Sequence, residues 1–522
     1  MTDKNIIIEN IRMDIDCGDC EVIEEAKKRL GKTPENPGRI YKKSIDARHK
    51  NNIKFVYSVI FSAEQEINDS TVINVKHGEQ TQKDSPIIIG FGPAGMFCAL
   101  VLAENGYNPV VFEMGAEIET RIKKVESLFN SGILDEKTNV CFGEGGAGTF
   151  SDGKLTTRIN DNYCKFVLEK FAQFGSSQDI LYQAKPHVGT DKIRIITKKI
   201  REEITKNGGK VYFNSEVTDI NKTQNSNGVE IIVNGKDKFL TSGLFLAAGH
   251  SAFGIYDLLV KKNFSVIPKP YSVGFRIEHR QNYIDDIVYG KYAGHKNLPS
   301  AEYVLSHKKP NTRGVYTFCM CPGGTVVNSA SENGGIVTNG MSFSDRAGDN
   351  ANSAIAVSIL PEDYGNTISG ALDFRKKLEE AAFMIKNKDF TAPVQTLGDY
   401  MNNKTGSLQK SRITPSYTGK IIEYDLNRLF PEFINETIKS GILQFNKTLK
   451  GYFNKDAVLT APETRTSSAV RILRDDLTLA SVDCEHIYPC GEGSGYAGGI
   501  TSSAVDGIKC AVKYMERYRG KS

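Results

Sequence analysis

The sequence has little net charge: 66 Lys and Arg stand against 62 Asp and Glu in 522 residues. Attraction of the whole molecule to nucleic acid or to a membrane surface is therefore not implied, although a local patch can still act. No apolar run approaches the roughly twenty residues that a membrane span requires, and the polar start from Met1 to Asn5 carries no secretory pattern. The expectation is a soluble, cytoplasmic protein without a membrane partner. The ten cysteines form no array of spaced pairs, which argues against a disulfide framework and for free, mostly buried thiols. Cys17 and Cys20 stand alone as a pair, and no second pair is near enough to complete a zinc site, so no metal is expected. Tryptophan is absent and no internal repeat is evident.

What is present divides into segments, and a chain of this length is expected to hold two or three domains. Strand-like runs at 5–12, 38–45 and 53–61 flank a helix at 21–30 that places Val22, Ile23, Ala26 and Leu30 on one face, a compact βαββ module. Glu64 to Asp84 turns polar and reads as a linker, so residues 1–80 are expected to form a separable N-terminal unit. Residues 81–265 read as the first part of a Rossmann-like α/β domain, 266–455 as an inserted α+β domain, and 456–522 as the return to the first. A helix over 192–207 and a short antiparallel meander beyond it belong to the first part.

Three glycine-rich segments carry the chemistry. In the first, Gly90, Gly92, Pro93, Ala94 and Gly95 lie between the apolar strand Ile87-Ile88-Ile89 and an apolar helix, and Glu113 ends the next strand eighteen residues after Gly95. That context turns a weak G-x-G-x-x-G match into a dinucleotide-binding βαβ unit. Gly90 permits the turn, Gly92 lets a pyrophosphate approach the backbone, and Gly95 lets helix and strand pack. The helix N-terminus presents free N–H groups to phosphate. Glu113 suits the ribose hydroxyls and would repel a 2′-phosphate, which disfavours NADP here. The second segment supplies Gly145, Gly146, Gly148, Thr149, Ser151 and Lys154, a loop too glycine-dense for a helix or strand unless a close backbone approach is needed. The third supplies Gly491, Glu492, Gly498, Gly499 and Ile500 at the start of the last helix, whose positive end suits the electron-rich edge of a reduced flavin. Val217, Ala248 and Gly249 complete the candidate cofactor set.

These segments, with GLFLAAGHSA at 243–252, HVGTDKIR at 187–194, FCMCPGG at 318–324, TNGMS at 338–342 and ETRTSSAVRI at 463–472, resemble a bacterial family of uncharacterised FAD-dependent dehydrogenases. That family is related to the glutathione-reductase-type and HI0933-like flavoproteins. The resemblance implies an FAD domain split by an inserted substrate domain, with a small N-terminal module, and it implies no substrate.

Outside the flavin motifs, Cys319 and Cys321 are candidate catalytic groups, because i and i+2 side chains of a strand share a face and both thiols can meet one pocket. His250 and His279 are candidate proton donors or acceptors, His250 being the one taken as catalytic. Arg276, Arg465 and Arg471 are candidates for an anionic small-molecule substrate. The reading is an FAD-dependent oxidoreductase moving a hydride between substrate and flavin N5. Outside these three segments no G-x-G-x-x-G appears, so NAD(P)H or another electron partner is expected only as a transient visitor. Two alternatives stand beside it. One is an RNA-modifying flavoprotein guided by the basic run Arg39, Lys42, Lys43, Arg48, His49 and Lys50, although such runs are more often solvated faces. The other is a flavin-carrying sensor without turnover.

Overall fold

The computed structural model describes residues 5–61, 73, 75–82, 84–223, 228–308, 312–386 and 389–520. Most of the expected linker lies outside these residues. Five short strands, Ile87–Ile89, Val110–Phe112, Lys210–Tyr212, Leu244–Leu246 and Ile487–Pro489, form a wholly parallel sheet. The order runs from Ile487–Pro489 through Leu244–Leu246, Ile87–Ile89 and Val110–Phe112 to Lys210–Tyr212. The near-continuous apolar character of the four strands other than the edge strand Lys210–Tyr212 follows from cover on both faces. Ile88, Val111, Phe245 and Tyr488 pack into one cluster with helices Pro93–Glu104, Tyr163–Gln173, Thr190–Lys206 and Ile500–Arg517. Their neighbours Ile87, Ile89, Phe112, Leu244 and Leu246 point the other way, onto the antiparallel meander Val217–Lys222, Val229–Val233 and Asp237–Thr241. Helix Pro93–Glu104 shows no amphipathic stripe because Ala94 to Ala103 are buried throughout, beneath the final helix.

The inserted unit is a seven-stranded mixed sheet. Its centre is Tyr271–Arg280, paired on one side with Asn350–Ile359 and on the other with Val458–Glu463. Val315–Cys321 lies beyond Asn350–Ile359, and Ala392–Thr396 beyond Val458–Glu463. Val458–Glu463 therefore belongs to the inserted sheet, and the return to the dinucleotide-binding core falls after Glu463 rather than at 456.

The N-terminal module has the strands Ile6–Asp14, Gly38–Asp46 and Lys54–Phe61, with helix Asp19–Leu30 stopped by Gly31 at φ 70. It is not cored separately. Ile11, Val22, Phe55, Tyr57 and Val59 fall in one hydrophobic cluster with Val273, Phe275 and Ile277 of the inserted sheet. The Lys43 N–H donates to the Tyr182 carbonyl and the Ala184 N–H to the Lys43 carbonyl, both at 2.8 Å. Within the basic run, Arg48 is paired with Asp46, and Lys43 Nζ sits 4.3 Å from the Phe55 ring centroid.

Candidate functional site

The three glycine-rich segments meet along one edge of the parallel sheet. Gly90 has φ 95, and a Cβ there would stand 2.6 Å from the Ala247 carbonyl oxygen. A Cβ on Gly95 would stand 2.0 Å from the Gly90 oxygen, so only glycine lets the helix seat on its strand. The Gly145 N–H donates to the Phe91 carbonyl at 2.9 Å, tying the second segment to the first. Thr501 of the last helix donates to the Leu155 carbonyl at 2.7 Å, tying the second to the third.

Glu113 is buried, and its carboxylate accepts backbone N–H groups from Phe91 at 2.8 Å, Gly143 at 2.9 Å and Gly115 at 3.0 Å. It therefore holds the first two segments together as well as facing the cavity. Arg121, which sequence reasoning missed, is fully buried and donates to the carbonyls of Asn139, Val140, Gly143, Glu144 and Gly146. Burial brings its pKa down to about 10, which leaves it charged at neutral pH. Nothing in the sequence marks Arg121, which sits among other charged residues of helix Ile118–Ser131. Glu144 accepts from the Ile118 N–H at 2.8 Å and pairs with Arg201 at 3.0 Å.

These segments form one wall of a cavity of about 1700 Å3. Ordinary small-molecule pockets run to about 300–1,000 Å3, so there is room for a dinucleotide and a second molecule. The opposite wall comes from the inserted sheet and includes Tyr316, Phe318, Cys319 and Glu463, with Arg465 just beyond the end of the last strand. Of the expected cofactor residues, Gly90, Gly92, Pro93, Ala94, Glu113, Gly146, Gly148, Ser151, Lys154, Val217, Ala248, Gly249, Glu492, Gly498, Gly499 and Ile500 line this cavity. Gly95, Gly145, Thr149 and Gly491 do not: they shape the turns from behind. Thr149 is fully buried, with its hydroxyl on the Glu144 carbonyl, and the Gly491 N–H is held by Asp506 at 2.7 Å.

The cradle fits a dinucleotide flavin. A Cβ on Gly92 would have only the Gly146 Cα, 3.8 Å away, as a neighbour, and one on Gly498 or Gly499 would meet nothing within 4 Å. Two helix N-termini, one capped by Gly92 and the other by Gly499, thus open onto the cavity, and at the first the N–H groups come from Gly92 and Ala94, since Pro93 has none.

His250 also lines the cavity, with Nδ1 3.7 Å from Glu492 Oε1. Burial lowers its pKa and outweighs the pull of Glu492, so the ring is neutral near pH 7. Arg471 lines it too, donates to the Gly495 carbonyl at 3.1 and 3.2 Å, and has no carboxylate partner among the described residues. Arg465 reaches the cavity with its charge already committed to Glu379 at 2.9 Å. Arg276 is a correction. It is fully buried inside the inserted sheet, paired with Glu463 at 3.1 Å and with Asn352 at 2.8 Å, and cannot meet a substrate. His279 is likewise buried, on the Tyr452 carbonyl at 2.9 Å.

Cys319 lines the cavity and Cys321 lies behind it. Simple strand alternation does not hold there. The pairing of Val315–Cys321 with Asn350–Ile359 breaks between Phe318 and Cys321, and Cys319 adopts φ 44. Arg276 Nη2 donates to the Cys319 carbonyl at 2.6 Å and lies 3.3 Å from Cys321 Sγ. A hydrogen bond from Cys321, aided by Arg276 and Lys154 against the cost of burial, brings the Cys319 thiol down to about 6. Burial pushes the Cys321 thiol up. Lys154 comes from the second glycine-rich segment. It is paired at 3.6 Å with Asp152, which also meets Arg346 at 2.8 Å and His187 at 3.5 Å.

Residues 270–466 match the family described as FAD-dependent protein, C-terminal domain-like, and residues 6–62 match a domain of unknown function, DUF8436. A protein of Clostridium beijerinckii described as "Uncharacterized protein" is 42% identical over 533 residues, spanning 98% of this chain and 99% of its own. Among solved structures, the halogenase PltM is 12% identical over 83% of this chain and 67% of its own, with a TM-score of 0.34. OTEMO in complex with FAD and NADP is 14% identical over 33% of this chain and 26% of its own, with a TM-score of 0.21. No helix among the described residues is long and apolar enough to cross a membrane.

Proposed function

The chain belongs to the family that includes the Clostridium beijerinckii protein, and its cofactor is FAD; from that premise we propose that it is an oxidoreductase in which a small molecule exchanges a hydride with the flavin. The observation that carries this reading is the shared cavity. One wall is built from the three glycine-rich segments, the other from the inserted sheet, and its volume exceeds what a lone cofactor of ordinary size occupies. Bound FAD supplies the hydride-accepting chemistry.

This chain's own residues do the rest. The backbone of Gly90 and the N–H groups of Gly92 and Ala94 would take the pyrophosphate, Glu113 the ribose, and Gly498, Gly499 and Ile500 the electron-rich edge of the ring system. Neutral His250, beside Glu492 on the cavity wall, is available to accept a proton. Arg471, without an acidic partner among the described residues, suits a carboxylate or phosphate on the incoming molecule. NADH or NADPH would enter as a transient donor, since no G-x-G-x-x-G lies outside the three segments assigned to FAD.

Denaturation of the purified yellow protein should release FAD. An anaerobic screen of NADH, NADPH and small hydroxy and amino acids should then find a donor that bleaches the flavin. A holoprotein that stays oxidised with every donor class would favour a flavin-binding role without turnover.

A further inference from the structure

We propose that Cys319 and Cys321 are a redox-active pair that exchanges one electron pair with the flavin across the shared cavity. The inference rests on the FAD reading above. Its geometric basis lies in a strand that departs from regular pairing at just these residues. The ladder breaks between Phe318 and Cys321, and Cys319 sits in the left-handed region at φ 44, which side chains other than glycine adopt at a cost. The break turns Cys321 back, so that its S–H donates to the Cys319 carbonyl oxygen at 3.3 Å. Two cysteines used only as small apolar fillers would need neither the break nor a charged neighbour.

The charged neighbour is Arg276, fully buried and fixed by Glu463 and Asn352, with Nη2 on both the Cys319 carbonyl and the Cys321 sulfur. Lys154 adds a second cation from the flavin side of the cavity, so the partner that faces the cavity is the one favoured as thiolate. The roles divide accordingly: Cys319 is the half-buried thiolate facing the cavity and Cys321 the buried thiol behind it.

The exchange balances without another reactant. The Cys319 thiolate and the Cys321 thiol together lose two electrons and one proton. The Cys321 S–H bond breaks and a bond forms between the two sulfurs. The electron pair and the proton pass to oxidised FAD, giving the singly protonated, anionic hydroquinone, so charge is conserved. In reverse, the hydroquinone returns the pair and the proton, and the thiolate and thiol are restored.

The test uses the holoprotein, oxidised with diamide, desalted, and titrated anaerobically with dithionite. Wild type should take up two electron pairs per FAD and Cys319→Ser/Cys321→Ser one. Flavin bleaching should lag behind the added reductant in wild type and follow it from the first addition in the double variant. Peptide mass mapping should find residues 319 and 321 linked before the titration and free after it. Uptake of a single pair by wild type, with both thiols unlinked after diamide, overturns the proposal. So does a linked pair whose reduction leaves flavin bleaching without a lag. If the double variant fails to hold FAD, the wild-type titration and mapping decide alone. Absence of FAD from wild type is a separate failure, of the cofactor reading itself, and the pair's role falls with it.

Discussion

A Cβ on Gly146 would stand 2.9 Å from the Cα of Gly92, so the first two glycine-rich segments meet backbone to backbone. On the other side of Gly92 the chain is open to the cavity. This asymmetry separates two glycines that the motif treats alike. Gly92→Val should fold, because its Cβ meets no atom closer than 3.8 Å, yet it should hold no FAD. Gly95→Val should lose about 1–3 kcal/mol of stability through overpacking, because its Cβ falls 2.0 Å from the Gly90 oxygen. Urea unfolding of the two apo-proteins, with FAD content measured alongside, distinguishes them. Equal stability loss in both would refute the asymmetry.

Arg121→Met should cost about 3 kcal/mol or more, since it removes a charged donor from five buried carbonyls. The loop from Asn139 to Gly146 should loosen and FAD affinity should fall with it. Hydrogen exchange across that loop is the measurement, and unchanged protection would show that the clamp is dispensable.

How much of this was legible in the sequence follows from which contacts are local. The βαβ unit around Gly90 to Glu113 was readable because its turn, helix start and strand end lie within one short stretch. Helix Thr190–Lys206 was readable from Ile193, Ile196, Ile200 and Ile204, all buried. The roles of Arg276 and Arg121 were not, because each is set by partners from distant segments: Glu463 and Asn352 for one, and the carbonyls of 139–146 for the other. Cys319 shows the same limit. Alternation placed both thiols on one face, whereas the break in pairing at Phe318 to Cys321 depends on the neighbouring strand. The boundary at 456 erred for a related reason. Val458–Glu463 joins a sheet whose other strands lie up to two hundred residues earlier.

Stability should fall on acidification below neutrality, with His279 as one cause. Burial lowers its pKa to about 4 from an ordinary 6.5. Between those values the unfolded chain takes up a proton that the folded one refuses, so the folded state loses ground as pH falls through that window. The shift corresponds to about 3 kcal/mol. His279→Gln keeps an N–H donor for the Tyr452 carbonyl and should flatten the urea midpoint between pH 6.5 and 4. An equally steep profile in the variant would assign the effect to other groups.

Deletion of residues 1–61 should destabilise the remainder rather than leave it intact. The expectation of a separable unit fails on the shared core, in which Ile11, Phe55 and Tyr57 belong with Phe275 and Ile277. The deletion would expose that apolar face and remove both hydrogen bonds of Lys43 with Tyr182 and Ala184. A lowered thermal midpoint or aggregation is expected, and a truncated protein with wild-type melting and full FAD content would restore the idea of an independent module.

The last prediction separates two tasks of Glu113. Its carboxylate accepts three backbone N–H groups, from Phe91, Gly115 and Gly143, while it also lines the cavity where the ribose would lie. If it only held the segments together, its loss would be felt equally with and without FAD. If it also binds ribose hydroxyls, the holoprotein should suffer more. Glu113→Ala leaves three buried donors without an acceptor and should lower apo-protein stability by about 1–3 kcal/mol or more. Glu113→Gln keeps one carbonyl oxygen but turns an NH2 group toward the backbone N–H groups. It should therefore weaken both tasks, with the charged ribose hydrogen bonds contributing about 1.5–3 kcal/mol of lost affinity. Urea unfolding of the apo-proteins reads the first task, and FAD titration followed by flavin fluorescence reads the second. Lowered apo-stability with wild-type FAD affinity would make Glu113 a purely structural anchor and remove the ribose contact from the proposed site. Unchanged apo-stability with lost affinity would show that the three backbone contacts contribute little.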